Sequence, residues 1–394
     1  MSDVAERLEE LRQRGLYRRL RLIEGPQGPS VTLDGRPVLL LCSNNYLGLA
    51  DRAEVREAAA GAAMRWGAGA GASRLISGNM EPHRELEQRL AAFKGYEASL
   101  LFGSGYLANT GTIAALAGRG EVVFSDELNH ASIVDGCRLS RAETFVYRHG
   151  DVEHLAWGLE QAGGRAGLIV TDGVFSMDGD VALLPQLLEL ARRHGARLMV
   201  DEAHATGAVG PGGRGSVSAA GLSGEVDVVV GTLGKALGSY GAYACANSET
   251  IDYLVNSARP FIFSTAPPPP ALGAALAALE ILEAEPKLVE RLQANAETLR
   301  DALAAEGVSV GRSATQVVPI EVGDAEATME LCERALRRGV FAQGIRPPTV
   351  PEGSSRLRFT VMATHQAGEL ATAAREVGAA AREIGLTEPR PLAA

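Results

Sequence analysis

The chain has 394 residues, a formal net charge of −10 at pH 7, and 46% hydrophobic against 22% charged residues. This composition is typical of a globular protein with one large and one smaller domain, and the negative charge argues against a general nucleic-acid or anionic-membrane surface. No apolar run is long enough to span a bilayer, and the four scattered cysteines form no metal-ligand spacing. We therefore expect a reduced, cytoplasmic protein without a metal site.

The N-terminal segment, residues 1–45, predicts a helical arm followed by a hairpin. Val4, Leu8 and Leu11 recur at helical spacing and would form one apolar face. An Asp-Gly pair at 34–35 separates two apolar runs and is typical of a two-residue hairpin turn.

Residues 46–285 alternate between apolar runs that favour strands and segments with helical signals. Several runs are apolar on both faces, which is typical of a mainly parallel sheet covered by helices. In such a sheet the functional residues gather at the carboxyl ends of the strands. We therefore predict a large α/β domain here. Its predicted strands are 99–102, 122–125, 144–147, 168–171, 198–201, 226–231 and 242–245, and its predicted helices are 109–116, a segment opened by Asp151, 185–194 and 271–285.

After Pro286 the pattern changes to long helices separated by few strands, which favours a smaller α+β domain over 286–394. The predicted helices are 287–305, 325–338 and 367–384, and the predicted strands are 317–322 and 357–361.

A glycine-rich stretch follows the first predicted strand of the large domain. Gly105 and Tyr106 stand where a helix begins, and the backbone N–H groups at a helix N-terminus bind phosphate. The stretch from Gly103 to Ala108 also matches the GxGxxG/A pattern of dinucleotide-binding proteins, with Asp126 at the end of the next strand. From the residues alone, a dinucleotide site therefore stays open.

Two later strand ends carry groups suited to cofactor chemistry. Asp201 ends an apolar strand, where a partly buried carboxylate needs a partner such as a protonated pyridine nitrogen, and His204 follows three residues later. Lys235 lies between a glycine and an alanine, which leaves space around its amine, and a desolvated amine attacks an aldehyde readily. The alternative interpretation is a surface lysine in a flexible turn.

Three further basic side chains have both a structural and a functional interpretation. His130 follows the strand 122–125, where a lone histidine is most often a helix cap or a satisfied core group. Arg356 and Arg358 alternate on a predicted strand and so share one face, where a guanidinium binds a carboxylate through two hydrogen bonds. An exposed polar face would explain the same alternation.

Eight motifs together resemble the α-oxoamine synthases, which are pyridoxal-phosphate enzymes of fold type I. In family order, over nearly the whole chain, they are SNNYLGL, FGSGYLAN, NHASI, DGVFSMDGD, VDEAHATG, TLGKALG, FIFST and IRPPTVPEGSSRLR. The resemblance implies the fold of a type I pyridoxal-phosphate transferase, with a large mainly parallel-sheet domain and a smaller C-terminal α+β domain. It also implies pyridoxal 5'-phosphate as cofactor, and it argues against the dinucleotide and surface-lysine interpretations.

The resemblance assigns roles around the cofactor residue by residue. It implies that Lys235 forms the covalent link, that Asp201 pairs with the pyridine nitrogen, and that His130 stacks on the ring and contacts the substrate. The other implied cofactor contacts are Ser176 and His204 at the phenolic oxygen, and Thr232 with the Gly105 and Tyr106 backbone at the phosphate.

The resemblance further implies a homodimer with shared active sites, because Ser264 and Thr265 would complete the phosphate site of a neighbouring subunit. Arg358 would bind the carboxylate of the amino-acid substrate. Arg18 and Thr349 would lie on the substrate side.

The implied reaction is the decarboxylative condensation of L-alanine with a pimeloyl thioester of coenzyme A or acyl carrier protein. The products would be 8-amino-7-oxononanoate, carbon dioxide and free thiol, in biotin biosynthesis; the stretch 345–351 and the basic arm 16–21 favour this reaction. Condensation of glycine with acetyl-coenzyme A, or a relaxed enzyme that does both, stays open because those relatives share the lysine, aspartate and histidine. A non-catalytic subunit is disfavoured because Lys235 is present, and a dehydrogenase would instead bind a nicotinamide.

Overall fold

The computed structural model describes residues 3–387 of the chain. The chain divides into two compact units. We call them the large unit, which comprises Asn45–Ser176 and Asp180–Glu290, and the small unit, which comprises Met1–Asn44, Met177–Gly179 and Arg291–Ala394. Residues 1–2 and 388–394, at the ends of the predicted arm and the predicted C-terminal domain, lie outside the described residues. The domain division predicted near residues 45 and 285 stays a prediction.

A helix and a hairpin begin the small unit. Their elements are α1 (Val4–Gln13), β1 (Ile23–Glu24), β2 (Ser30–Leu33) and β3 (Arg36–Leu40). Asp34 and Gly35 both have positive φ angles, 48° and 77°, which is the turn whose twist suits two antiparallel strands. Leu33 pairs with Arg36 across the turn. The predicted helix and hairpin are therefore confirmed.

Seven strands form the sheet of the large unit. They are β4 (Ala98–Phe102), β5 (Val122–Asp126), β6 (Glu143–Tyr147), β7 (Ala166–Asp172), β8 (Arg197–Asp201), β9 (Val228–Thr232) and β10 (Ala242–Ala246). Their spatial order is β4-β10-β9-β8-β7-β5-β6. Strand β10 runs antiparallel to both of its neighbours, and the other strand pairs are parallel. The mainly parallel sheet predicted from the sequence is confirmed.

Both faces of this sheet are covered, which explains why its strands are apolar throughout. Leu168 and Val170 pack into a core cluster on one face, together with Ile113 of a covering helix. Ile169, which lies between them, packs into a second cluster with Leu188. Successive side chains of a strand point to opposite faces, so each face must supply its own apolar partners.

Ten α-helices belong to the described large unit. They are α2 (Ala53–Trp66), α3 (Glu81–Lys94), α4 (Gly105–Leu116), α5 (Ala131–Ser140), α6 (Val152–Ala162), α7 (Leu184–His194), α8 (Ser216–Ala219), α9 (Ser248–Ser257), α10 (Arg259–Ile262) and α11 (Pro269–Ala284). Helices α6, α7 and α11 match the predicted ones, and α4 covers the helix predicted over 109–116 but begins earlier, at Gly105. The Asp151 carboxylate caps α6 by accepting the N–H of His154 at 2.8 Å. Helix α3 is not among the predicted elements, although Leu86, Leu90 and Phe93 give it a buried face.

The remaining elements are α12 (Lys287–Ala305), β11 (Val317–Gly323), α13 (Ala325–Arg337), β12 (Val340–Phe341), β13 (Gln343–Ile345), β14 (Ser355–Thr360) and α14 (Ala367–Glu383). In the small unit, β11, β14 and β13 form an antiparallel sheet, while β12 joins β3 in parallel. The predicted helices and strands of this region are confirmed to within two residues. Strands β12 and β13 are too short to leave a hydrophobic pattern. Among residues 3–387, no helix combines the length and the apolar character needed to cross a bilayer.

Candidate active site

The parallel strands of the large unit bring several polar side chains to one edge of the sheet. Strand β7 ends at Asp172, β8 at Asp201 and β9 at Thr232. His130 follows β5, and Lys235 follows β9. Because the carboxyl ends of parallel strands meet at the same edge, these groups converge there, as predicted for a functional site.

The Lys235 amine lies beside an imidazole. Its Nζ is 2.7 Å from Nε2 of His204, and Nδ1 of His204 is 2.6 Å from the hydroxyl oxygen of Tyr46. His204 and Tyr46 are buried and Lys235 is half-buried. The interpretation of Lys235 as a solvated surface lysine is therefore wrong. The structure brings together the predicted lysine and histidine and adds a tyrosine that was not predicted.

Small residues shape the turn that carries Lys235. The hydroxyl oxygen of Thr232 accepts the N–H of Gly234 at 3.2 Å. Gly207 has a φ of +75°, and a Cβ at this position would lie 2.5 Å from Cβ of Ala236. A glycine is therefore required for the segment after β8 to approach the lysine turn.

Asp201 is buried and has neutral hydrogen-bond partners. Its side chain is 4% exposed. Its Oδ2 accepts a hydrogen bond from Nδ2 of Asn109 at 2.6 Å, and its Oδ1 accepts one from the backbone N–H of Ala203 at 2.8 Å. Both donors are uncharged, so they stabilise the carboxylate without cancelling its charge.

His130 is the N-cap of helix α5. Its Nδ1 accepts the backbone N–H of Ser132 at 3.2 Å, and its own backbone N–H donates to Asp172 at 2.7 Å. Burial lowers the pKa of His130 below its usual range; the charge of Lys235 lowers it further and that of Asp201 opposes the shift. Burial and the neighbouring Asp201 raise the pKa of Asp172 well above its usual range. The cap predicted as the structural alternative is present, and the same side chain lies within the electrostatic reach of Asp201 and Lys235.

The start of helix α4 presents backbone N–H groups at the end of β4. The hydroxyl oxygen of Ser104 accepts the N–H of Leu107 at 3.3 Å, and Gly105 and Tyr106 form the beginning of the first turn, where N–H groups have no acceptor within the helix. The Tyr106 side chain is 46% exposed, and its hydroxyl donates to Asp135 at 2.5 Å. The backbone, and not the tyrosine ring, is therefore the part suited to an anion.

Three other predicted cofactor contacts lie on loops of the large unit. Ser176 follows β7 and is half-buried. Ser264 and Thr265 lie between α10 and α11, and Thr265 pairs with Ser73 in an isolated β-bridge. The contribution of Ser264 and Thr265 to a neighbouring subunit stays a prediction.

Three of the predicted substrate residues, Arg18, Thr349 and Arg358, lie in the small unit, and His130 lies in the large unit. Arg356 and Arg358 on β14 are 6% and 7% exposed, so the alternative that they form an exposed polar face is wrong. Arg356 forms an ion pair with Asp178. Arg18 and Thr349 are exposed.

Comparisons with known proteins identify the family. A family model described as aminotransferase class I and II matches residues 36–377. The chain belongs to this family. It is 55% identical to the 8-amino-7-oxononanoate synthase of Citrifermentans bemidjiense, over 95% of this chain and 97% of that protein. It is 53% identical to the synthase of the same name from Geotalea daltonii, over 98% of this chain and 100% of that protein.

Two solved structures show the same fold. A variant of serine palmitoyltransferase from S. paucimobilis, solved with a bound PLP–myriocin aldimine, matches with a TM-score of 0.92 and 33% identity over 97% of this chain and 98% of that one. The 8-amino-7-oxononanoate synthase of Francisella tularensis matches with a TM-score of 0.76 and 26% identity over 88% and 98%. The predicted family, fold type I class, acyltransferase class and pyridoxal 5'-phosphate cofactor are thereby confirmed, and the dehydrogenase alternative is wrong.

The residues at the sheet edge fit this cofactor. Lys235 offers an amine for its aldehyde, and the start of α4 offers backbone N–H groups for its phosphate. Asp201 is buried with uncharged donors on both oxygens, so a protonated ring nitrogen would supply the missing counter-charge. A protonated pyridine ring that carries an aldehyde supplies this positive charge, and a neutral ligand does not.

Sequence reasoning missed a buried ion pair that supports the segment carrying His204. Lys94 pairs with Glu202, and their side chains are 2% and 0% exposed. The Glu202 carboxylate also accepts the hydroxyl of Ser216 at 2.9 Å and the N–H of Val217 at 2.7 Å. The sequence did contain a signal for this pair: Glu202 is a second acid directly after a buried strand, and a buried acid requires a partner.

Proposed function

We propose that the chain condenses L-alanine with a pimeloyl thioester of coenzyme A or an acyl carrier protein. The products are 8-amino-7-oxononanoate, carbon dioxide and the free thiol, in biotin biosynthesis. The observation that carries the proposal is the Lys235 amine, 2.7 Å from His204 at the sheet edge where Asp201 is buried. Relatives that are 51% to 55% identical over nearly the whole chain are named 8-amino-7-oxononanoate synthases, which supports this product. The cytoplasmic location and the carrier of the acyl group stay predictions.

Lys235 is the proposed covalent anchor and base. When bound, the cofactor supplies a carbonyl carbon for the lysine and a ring that takes up the electron pair of a broken C–H bond. With L-alanine bound, Nζ of Lys235 would take its α-proton. His204 orients this amine at 2.7 Å, and Tyr46 orients His204 at 2.6 Å.

Asp201 and His130 are both proposed to contact the cofactor ring, Asp201 at its nitrogen and His130 at its face. The Asp201 carboxylate holds the proton on the pyridine nitrogen, since its own partners are uncharged. His130 stacks on the ring as a neutral imidazole and contacts the substrate. A neutral histidine at this position leaves the charge of Asp201 available to the ring nitrogen.

The remaining contacts are proposed to hold the cofactor in place. Ser176 and His204 bind its phenolic oxygen. At the phosphate, Thr232 and the backbone N–H groups of Gly105 and Tyr106 supply hydrogen bonds, as helix N-termini do for anions.

Five further residues are proposed to complete the site, two of them from a second copy of the chain. Arg358 binds the carboxylate of L-alanine, and Arg18 and Thr349 contact the acyl substrate. Ser264 and Thr265 serve the phosphate site of a partner subunit, so the functional molecule is a homodimer. Fixing the amino acid at its carboxylate and its amine orients the reacting carbon, which lowers the entropic part of the barrier.

The test is thiol release by purified, cofactor-loaded protein. Alanine and glycine are each paired with pimeloyl-, acetyl- and succinyl-coenzyme A, and Lys235→Ala protein measures the background. The proposal expects kcat/KM for alanine with the pimeloyl donor to exceed that for glycine with acetyl-coenzyme A by at least about 10-fold, the scale on which a pocket discriminates small apolar groups. A preference for glycine with acetyl-coenzyme A would move the enzyme to the alternative reaction. Absence of thiol release with every donor would overturn the proposal.

A further inference from the structure

A chain of buried hydrogen bonds links two of the proposed cofactor contacts. It runs from Asp201 through Asn109 and Ser132 to His130, and we call it the Asn109 chain. The N···O distances from Asn109 Nδ2 are 2.6 Å to Asp201 and 2.9 Å to the Ser132 hydroxyl, which is in turn 2.7 Å from Nδ1 of His130. Asn109 and Ser132 are each 1% exposed. Neither residue was assigned a role from the sequence.

The direction of every hydrogen bond in this chain follows from donor and acceptor chemistry. A carboxylate only accepts, so the group of Asn109 that faces Asp201 is its NH₂ and not its oxygen. The same NH₂ donates its second hydrogen to the Ser132 oxygen, which leaves the Ser132 hydroxyl proton to point at Nδ1 of His130. The amide orientation is therefore fixed by Asp201.

The backbone of Ser132 fixes the state of the His130 ring independently. A backbone N–H can only donate, and that of Ser132 lies 3.2 Å from Nδ1 of His130. Nδ1 therefore accepts, and the ring proton is on Nε2. His130 is also the N-cap of α5, and the N-terminus of a helix disfavours positive charge on an imidazole.

The charged and titratable groups that act on His130 come from three strands of the sheet. Asp172 at the end of β7 accepts its backbone N–H, Asp201 at the end of β8 favours its protonation, and Lys235 after β9 opposes it. Burial outweighs the attraction of Asp201, and the pKa of His130 is lowered. The electrostatics and the hydrogen-bond geometry thus agree on a neutral ring.

We propose that Asn109 and Ser132 are positioning residues that hold His130 as the neutral Nε2–H tautomer and hold the Asp201 carboxylate in place. This inference rests on the proposed function of the site. A charged His130 would compete with the ring nitrogen for the negative charge of Asp201, and an Nδ1–H tautomer would lose both hydrogen bonds from Ser132. The Asn109 chain prevents both, while Nε2 keeps a proton that it can donate.

The test is nitrogen NMR on the full-length chain labelled with ¹⁵N-histidine, with and without cofactor. The protein has seven histidines, so the His130 signals are assigned by their loss in His130→Asn protein. The wild type is expected to show an unprotonated Nδ1 and a protonated Nε2 at pH 7. An Nδ1–H tautomer or a charged ring in the wild type at pH 7 would overturn the proposal without any variant.

Ser132→Ala and Asn109→Leu test the two links, and Thr112→Val is the matched control on α4. Thr112 is fully buried, and its hydroxyl makes no hydrogen bond within residues 3–387. Ser132→Ala is expected to raise the pKa of His130 by roughly 0.5–1 unit, because a hydrogen bond to the neutral form is lost. Asn109→Leu is expected to lower kcat about 10-fold with the KM for alanine within about 2-fold, since it loosens Asp201 and leaves Arg358, the proposed carboxylate contact, in place.

If both variants titrate and turn over like Thr112→Val, the positioning role is wrong. If the wild type shows the Nε2–H tautomer but condenses no donor, the proposed function fails while the structural inference stands.

Discussion

At the scale of single residues, the strongest prediction concerns Lys235. Replacing it with alanine or arginine is expected to abolish covalent cofactor binding and to lower turnover by at least about 10³-fold, because neither side chain forms the link or takes the α-proton. Cofactor absorbance of dialysed protein and thiol release are the measurements. Lys235→Arg keeps the positive charge, so it separates the loss of chemistry from the loss of charge. A Lys235→Ala protein that condensed substrates at the parental rate would remove the lysine from the mechanism.

Arg358 and Arg356 offer a matched pair on one strand of the small unit. Both are buried, and the Arg356 guanidinium forms an ion pair with Asp178. Arg358→Ala is expected to raise the KM for alanine about 10- to 100-fold, because a charged hydrogen bond to the substrate carboxylate is lost. Arg356→Ala is expected to lower the unfolding temperature, because it leaves a carboxylate unpaired. Unchanged alanine affinity in Arg358→Ala would exclude its carboxylate-binding role.

At the scale of elements, His365 joins strand β3 to the segment before α14. Its Nδ1 accepts the N–H of Met362 at 2.8 Å, and its Nε2 lies 3.1 Å from the carbonyl oxygen of Leu40. Burial lowers the pKa of His365 to about 4. The unfolded chain takes up this proton near pH 6.5 and the folded chain does not, so the contribution to stability is complete above about pH 6.5 and is lost as the pH falls toward 4.

The expected loss for His365 is about 2 kcal/mol in the free energy of unfolding between pH 7 and pH 5. Urea unfolding at the two pH values measures it. In His365→Asn, which keeps an acceptor near the position of Nδ1, the pH dependence should become shallower by this amount. The control is the same substitution at the end of α7, His194→Asn. Identical pH dependence in wild type and His365→Asn would contradict the prediction.

For His149 we expect the stability of the folded protein to depend on pH with the opposite sign. Its two ring nitrogens lie 3.0 Å from Asp126 and 2.9 Å from Asp180, so it ties the end of β5 to the loop that follows Ser176. Burial lowers its pKa, but hydrogen bonds and charge from the two carboxylates overcome this and raise the pKa of His149 to about 10. Its stabilisation is complete below about pH 6.5 and is lost as the pH rises through 10.

The expected result for His149 is a fall in unfolding temperature between pH 7 and pH 9.5 that is absent in His149→Asn. Differential scanning calorimetry across this range measures the fall. His149→Asn should also be less stable than wild type at pH 7, where the imidazolium bridges both carboxylates. A variant that matched wild type at both pH values would show that the bridge contributes nothing.

At the scale of the whole molecule, the local sequence pattern was enough to predict the strands of the large sheet and the main catalytic candidates. Apolar runs predict β5, β7, β8 and β9 because both faces of a parallel sheet are buried, and the candidates Asp201 and Lys235 follow directly from where such strands end. The antiparallel direction of β10 and the contact of Asn109 with Asp201, 92 positions away, are long-range facts that no local window contains. Helix α3 was missed although its buried face was present.

The exposed surface beside Ser264 and Thr265 bears on assembly. Phe263 is 70% exposed and Ile76 is 80% exposed. Their chain segments are joined by the bridge between Ser73 and Thr265. Large apolar side chains exposed on neighbouring segments are consistent with an interface with another chain. This arrangement supports the proposal that Ser264 and Thr265 act in the site of a partner subunit.

If the active sites are shared between subunits, a hybrid dimer of two impaired variants is expected to regain activity. Lys235→Ala lacks the anchor but keeps Thr265, and a Ser264→Ala/Thr265→Ala double variant keeps the anchor but weakens the phosphate site. In a hybrid dimer with shared sites, one site receives Lys235 from one chain and Thr265 from the other, and the second site loses both. Hybrids co-expressed with two affinity tags should therefore regain about half of the wild-type activity per dimer, as twofold symmetry requires. If each site were built from one chain, the hybrid would instead keep only the mean activity of its two parents, which a mixture of the separately purified dimers measures directly.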